Sequence, residues 1–225
     1  MNIRRWAARM PDEFWKWGTF NSYPRCAERY CAVLDSVQGM TTPSNMHFLN
    51  TAVQEMAPGE CYLEVGTWRG ATLIGALLGN EARGFAIDDD TMDDHDEDAR
   101  ASSDVWHDNV AVHLDQFLRA KYIHGTTPGI WERLNIPCPI GVYFFDGDKS
   151  TEDAAYDGLA GVLPFLADEA IIIIDDANET TVRVAASTFE RDYAKQVVKI
   201  IDLPTAGNCW PQWWNGVMAL AFIRR

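Results

Sequence analysis

The sequence predicts an α/β fold: a doubly wound, mostly parallel sheet with N-terminal helices and an antiparallel C-terminal strand. Three observations carry this. From Cys61 onward, short apolar runs alternate with helical stretches. Four of those runs end directly in glycine or aspartate, and the last two runs have no helix between them. Continuous apolar runs are what strands covered on both faces by helices look like. Their alternation with helices implies parallel pairing.

In chain order, the opening stretch reads as helical. One helix spans 24–37, and another spans 43–56 and stops at the Pro58-Gly59 turn. The strand Cys61–Val65 runs into Gly66 and a helix over 70–78, and the strand Gly84–Ile87 ends in Asp88. A helical region over 98–120 precedes a short strand at Tyr122–His124. The strand Ile140–Phe145 ends in Asp146, a helix covers 152–166, and Ala170–Ile174 ends in Asp175-Asp176. Gln196–Ile201 and Val217–Ile223 close the sheet, and one of these two runs antiparallel. Residues 1–57 form a helical extension packed on the core, and 58–225 form the main domain.

At 225 residues the chain supports one core. A formal net charge of -14, from 19 basic and 33 acidic residues, opposes binding to nucleic acid or to an anionic membrane. No apolar run approaches the ~20 residues of a membrane span. Charges at Arg4, Arg5, Arg9, Asp12 and Glu13 deny the N-terminus a signal-peptide core. The five cysteines contain no CxxC pair, which suits reduced thiols and a cytoplasmic location.

Ligands of open parallel sheets bind beyond the C-terminal strand ends. The first such end reads Glu64-Val65-Gly66-Thr67-Trp68-Arg69-Gly70-Ala71-Thr72. Glycine lets the backbone pass close to a ligand, and the next helix begins with free N–H groups. The spacing E-x-G-x-x-x-G differs from the G-x-G-x-x-G of dinucleotide folds. It resembles the first motif of class I methyltransferases, which have a Rossmann-like fold. That resemblance places S-adenosylmethionine beside Glu64, Gly66, Thr67, Gly70 and Thr72, with its ribose hydroxyls on Asp88. A carboxylate can accept from two vicinal hydroxyls at once. A purely structural turn between strand and helix is the alternative.

Two acidic motifs follow, Asp146-Gly147-Asp148-Lys149 and Asp175-Asp176-Ala177-Asn178. Neighbouring strand ends lie ~5 Å apart, so Asp146, Asp175 and Asp176 can converge. Three carboxylates repel unless a cation joins them, and hard oxygen donors suit Mg2+ or a similar divalent ion. The pattern resembles metal-dependent O-methyltransferases of the catechol and, more closely, macrocin kinds, over about 61–225. It implies that Asp146, Asp175 and Asp176 hold the ion, that Asp146 also borders the cofactor, and that Lys149 (if neutral) or Asp146 takes the acceptor's proton. Helix capping by Asp146 and Asp175 is the competing explanation. At the third strand end, His124-Gly125-Thr126-Thr127 stands where relatives place an acidic residue at the adenine, which leaves Thr126 or main chain for that contact.

The eight acids at Asp88, Asp89, Asp90, Asp93, Asp94, Asp96, Glu97 and Asp98 read as a solvated loop. The histidines show no ligand spacing. Trp210, Trp213 and Trp214 sit between the last two strands, where they either wall an acceptor pocket or fold into the core. The expected function is methylation of a small-molecule hydroxyl, on a sugar, a glycosylated natural product or a catechol-like diol. Metal-independent N- or O-methylation and a non-catalytic nucleotide-binding protein are the alternatives. Assembly into a homo-oligomer is left open.

Overall fold

The computed structural model describes the chain except residues 20, 92–99, 115–118 and 208–211. The N-terminal part contains α1 (Ile3–Glu13), a two-strand hairpin of β1 (Phe14–Trp15) and β2 (Tyr23–Pro24), α2 (Ala27–Leu34) and α3 (Pro43–Gln54). Then come β3 (Cys61–Val65), α4 (Ala71–Leu77), β4 (Arg83–Asp88), α5 (Ser102–His113), β5 (Ala120–His124) and β6 (Ile140–Phe145). The chain ends with α6 (Glu152–Gly161), β7 (Leu166–Asp175), α7 (Thr180–Asp192), β8 (Val197–Leu203) and β9 (Val217–Ile223).

Seven strands form the main sheet in the order β5-β4-β3-β6-β7-β9-β8. β9 is antiparallel to both neighbours, and β3 is parallel to β4 and β6. Chain order reverses between β3 and β6, and there the C-terminal strand ends diverge into a crevice. Alternate residues of each central strand feed opposite layers. Val142 and Phe144 face one apolar cluster, and Tyr143 and Phe145 face the other. Both faces are dry, so β6 and β7 show no polar alternation along Ile140–Phe145 or Ala170–Ile174.

Trp6, Phe14, Tyr30 and Phe48, from residues 1–57, lie in the same apolar cluster as the sheet residues Tyr62 and Val142. The helix α1, the hairpin and α7 are additions to what the sequence predicts. Trp15 and Tyr23 pair across the hairpin, with ring centroids 6.1 Å apart. The helix α7 carries a recognisable stripe, Val182, Ala185, Ala186 and Phe189, at helical spacing. The helix predicted over 98–120 is shorter, because the backbone turns extended at Leu114.

Two buried groups position the functional end. The Glu64 carboxylate is fully buried beneath the glycine turn. It accepts from the Tyr62 hydroxyl at 2.6 Å and from the Thr72 hydroxyl at 3.2 Å, and it bonds Thr67. The Trp106 indole on α5 donates to the Thr67 hydroxyl at 3.1 Å, extending the network to a third element. Burial pushes the Glu64 carboxyl up to about 7 against these bonds. The second group is Trp213, which is buried against Phe14, Phe48 and Trp17, with centroids 5.0, 5.5 and 5.9 Å away. The N-terminal aromatics offer this ring a larger apolar partner than the crevice does, so Trp213 belongs to the core. Trp214 is half-buried, and Trp210 lies outside the described residues.

A carboxyl whose folded pKa is raised favours folding while protonated. That stability is complete below the ordinary value of 4.5 and drains away as pH rises through about 7. Glu64→Gln removes the titration, so its unfolding free energy should gain on the native chain across that window by up to about 3 kcal/mol. Denaturant titrations at several pH values measure this, and parallel curves would contradict it. Trp213→Ala should cost about 3–5 kcal/mol, as loss of a large buried ring does. A loss below about 1 kcal/mol would place the ring outside the core.

Candidate active site

The turn after β3 is shaped by two close approaches. Gly66 has φ +83°, and a Cβ there would lie 2.1 Å from the Asp146 carbonyl oxygen. Gly70 has φ +88°, and its Cβ would fall 2.8 Å from the Trp106 ring. Only glycine accepts both the left-handed backbone and the contact. Between them Trp68 has φ 44° and donates its N–H to Asp88 Oδ2 at 2.7 Å. Asp88 Oδ1 receives the Asp90 N–H at 3.0 Å. Burial holds the Asp88 carboxyl above its ordinary range, with the two N–H donors opposing the shift.

Two chambers meet here. The larger, about 390 Å³, is lined by Gly66, Asp88, Asp89, Thr126, Thr127 and Asp146 among others. The smaller, about 130 Å³, shares Gly66, Asp88 and Asp146 and adds Thr67, Trp68 and Thr72. The rest of its wall is Ala71 and Gln38-Gly39-Met40-Thr41, the link between α2 and α3. Thr41 is 2 % exposed, and neither its hydroxyl nor the Trp68 indole nitrogen has a hydrogen-bond partner among the described residues. Both residues line the small chamber, and both atoms are themselves buried donors. Glu64 and Gly70 line neither chamber; they support the turn from beneath.

The 38–41 wall carries no motif, so sequence reasoning passes over it as a connector. One signal was available. Thr42 is an ideal cap ahead of Pro43, and its hydroxyl accepts from the Asn45 N–H, which brings the start of α3 and this link to the sheet's functional end.

Beside the chambers, the ends of β6 and β7 bring Asp146, Asp175 and Asp176 around one lysine. Lys149 Nζ donates to Asp146 Oδ1 and to Asp176 Oδ2. Burial works against this ammonium, but Asp146, Asp175 and Asp176 outweigh it and hold its pKa above the usual lysine value. Lys149 is therefore an ammonium here, not the neutral amine that a proton-accepting role would require. Burial, opposed by Lys149 and aided by Asp176, raises the Asp146 carboxyl to about 6. Asp175 is 2 % exposed, and its Oδ1 has no hydrogen-bond partner among the described residues. Burial and the neighbouring Asp146 raise its pKa well above normal.

Capping does not account for these aspartates. The N-cap of α6 is Thr151, and that of α7 is Glu179. The donor set has the hard oxygens a divalent ion prefers. As arranged, however, Lys149 joins the carboxylates, and among the described residues no group of three or more His, Cys, Asp or Glu side chains is disposed to hold a metal ion. The observed arrangement does not fit an ion.

A sequence profile described as "Methyltransferase domain" matches residues 63–177. No curated protein matches the chain. Among solved structures, the fold is similar to that of an O-methyltransferase from Bacillus cereus in complex with SAH. The TM-score is 0.63 at 16% identity, over 98% of this chain and 99% of that one. A putative O-methyltransferase from Klebsiella pneumoniae gives 0.61 at 15% identity, over 90% and 91%. Cofactor-bound Rv0187 from MTB gives 0.60 at 17% identity, over 92% and 94%. At such identities the likeness shows the fold, while the profile spans just over half of the 225 residues. The chain belongs to the methyltransferase-domain family.

Proposed function

We propose that this chain is an S-adenosylmethionine-dependent O-methyltransferase acting on a hydroxyl of a small molecule. One observation carries the reading: the chamber holding Gly66 and Asp88 also has Asp146 in its wall, and Asp146 is bonded to Lys149. A cofactor cradle and a proton-handling cluster therefore share a residue. The SAH bound to the structurally similar Bacillus cereus protein supports the choice of cofactor. The net charge of -14 favours a small acceptor over a nucleic acid.

When bound, S-adenosylmethionine supplies an electrophilic methyl group. The chain's own residues do the rest. The Asp88 carboxylate accepts from the ribose hydroxyls, Gly66 gives close backbone approach, and Thr41 and Trp68 donate to the carboxylate of the methionine moiety. Thr126 and Thr127 border the adenine end. Lys149 holds the acceptor oxygen by a charge-assisted hydrogen bond. Asp146 takes the hydroxyl proton as the new C–O bond forms and the C–S electron pair stays on sulfur. Holding the acceptor in line is the main rate contribution available.

A second reading is favoured by Asp175 Oδ1, which has no partner among the described residues, and by the gathering of Asp146, Asp175 and Asp176 near one ammonium that bonds two of them. In it, Mg2+ or another divalent cation would take the place of the Lys149 ammonium, and Asp146, Asp175 and Asp176 would be the residues to hold it, an arrangement different from the one observed. Either reading is compatible with an acceptor such as a sugar, a glycosylated natural product or a catechol-like diol.

Calorimetry should show S-adenosylhomocysteine binding in preference to NAD. Asp88→Ala should weaken that binding roughly ten- to a hundredfold, the loss of a charge-assisted pair worth about 1.5–3 kcal/mol. Equal affinity in a folded Asp88→Ala chain would remove Asp88 from the site. With an acceptor found by scanning pools with methyl-labelled cofactor, Lys149→Met should lower kcat and leave cofactor affinity unchanged. On the cation reading, EDTA abolishes turnover and Mg2+ restores it. Full turnover in EDTA leaves Lys149 as the only cation of the site.

A further inference from the structure

The turn after β7 and the wall of the small chamber belong to distant parts of the chain, yet one loop is bonded to both. This loop joins β8 to β9, and its described residues include Thr205, Gln212, Trp213, Asn215 and Gly216. On one side it grips the turn that follows Asp175-Asp176. The Ala177 N–H donates to the Gly216 carbonyl and the Asn178 N–H to the Asn215 carbonyl, each at 3.0 Å. The Asn178 side chain closes the grip, donating Nδ2 to the Thr205 carbonyl at 2.6 Å and accepting the Thr205 N–H at Oδ1 at 3.4 Å. Gly216 has φ +86° and passes so near that a Cβ would lie 2.8 Å from Asn178 Oδ1.

On its other side the loop holds the start of α3. The Thr205 hydroxyl donates to Gln212 Oε1 at 2.6 Å, and the Gln212 carbonyl accepts from the Thr42 hydroxyl. Thr42 is the cap of α3 and directly follows Thr41 in the chamber wall. Gln212 and Thr42 are both buried, so the bond between them forms out of water, where a lost partner is costly, and the Thr205–Gln212 bond is part-buried. The route Asn178–Thr205–Gln212–Thr42 is a continuous hydrogen-bonded strap. It runs from the aspartate turn to the wall beside the methionine end of the cofactor.

We propose that Asn178, Thr205 and Gln212 are positioning residues for methyl transfer, because they set the separation between the aspartate cluster and the 38–41 wall. The proposal rests on the reading of this site as a methyl-transfer centre. None of the three lines either chamber, so they act only through Thr42 and the Asp175-Asp176 turn. An in-line displacement requires donor and acceptor at close, fixed range, and a strap spanning both sides is a direct way to impose it.

The test is the affinity for S-adenosylhomocysteine, read by calorimetry well below the melting temperature. Thr205→Val removes one hydroxyl at nearly constant volume and cuts the link to Gln212. It should weaken binding roughly three- to tenfold, the span of one lost hydrogen bond. Thr205→Ser keeps the hydroxyl and should restore binding to within about twofold. Should Thr205→Val not fold, Gln212→Met breaks the same link and carries the same expectation. Native-like affinity in Thr205→Val, or equal weakening in Thr205→Ser, would overturn the strap while leaving the cofactor reading intact. Absence of S-adenosylhomocysteine binding by the native chain overturns both.

Discussion

The site depends on one close approach, the passage of Gly66 against the Asp146 backbone. A single methyl group at Gly66 would sit 2.1 Å from the Asp146 carbonyl oxygen. The contact is locked on both sides by strand bonds, because Gly66 N–H donates to the Ile87 carbonyl and Asp146 N–H to the Val65 carbonyl. Three strand ends are thereby drawn together at the point where chain order reverses. The turn at Gly66 brings Asp88 into the chamber from one side and Asp146 from the other. A residue with a side chain at this position would force β3 and β6 apart, and cradle and aspartate cluster would separate with them.

Electrostatics at this end are unbalanced by construction. Glu64, Asp88, Asp146 and Asp175 are all pushed toward the neutral form, chiefly by burial. Glu64 resolves the strain internally, with Tyr62, Thr67 and Thr72 as partners. Asp146 and Asp176 share Lys149, while Asp175 Oδ1 has no hydrogen-bond partner among the described residues. A buried acceptor without a donor is costly in a finished structure.

Much of this was legible in the sequence because it was written in short-range patterns. The apolar runs at Cys61–Val65, Ile140–Phe145 and Ala170–Ile174 reveal strands buried on both faces. The absence of a helix between the last two strands reveals the antiparallel β9. Gly66 and Asp88 were recognisable because spacing alone ties each to a strand end. Other features depend on contacts between distant residues. Nothing local to Trp213 says that Phe14 and Phe48 wait for it, and nothing in Gln38–Thr41 announces a chamber wall. The role of Lys149 also needed the fold. Position three after Asp146 suggested a base, and only the surrounding carboxylates show it to be an ammonium.

A crystal structure grown with S-adenosylhomocysteine tests the central claim most directly. The expected density has ribose hydroxyls on the Asp88 carboxylate, the homocysteine carboxylate near Thr41 and Trp68, and sulfur directed toward Asp146 and Lys149. Ligand bound elsewhere, or oriented with its sulfur away from Asp146, would contradict the assignment of these strand ends as a methyl-transfer site.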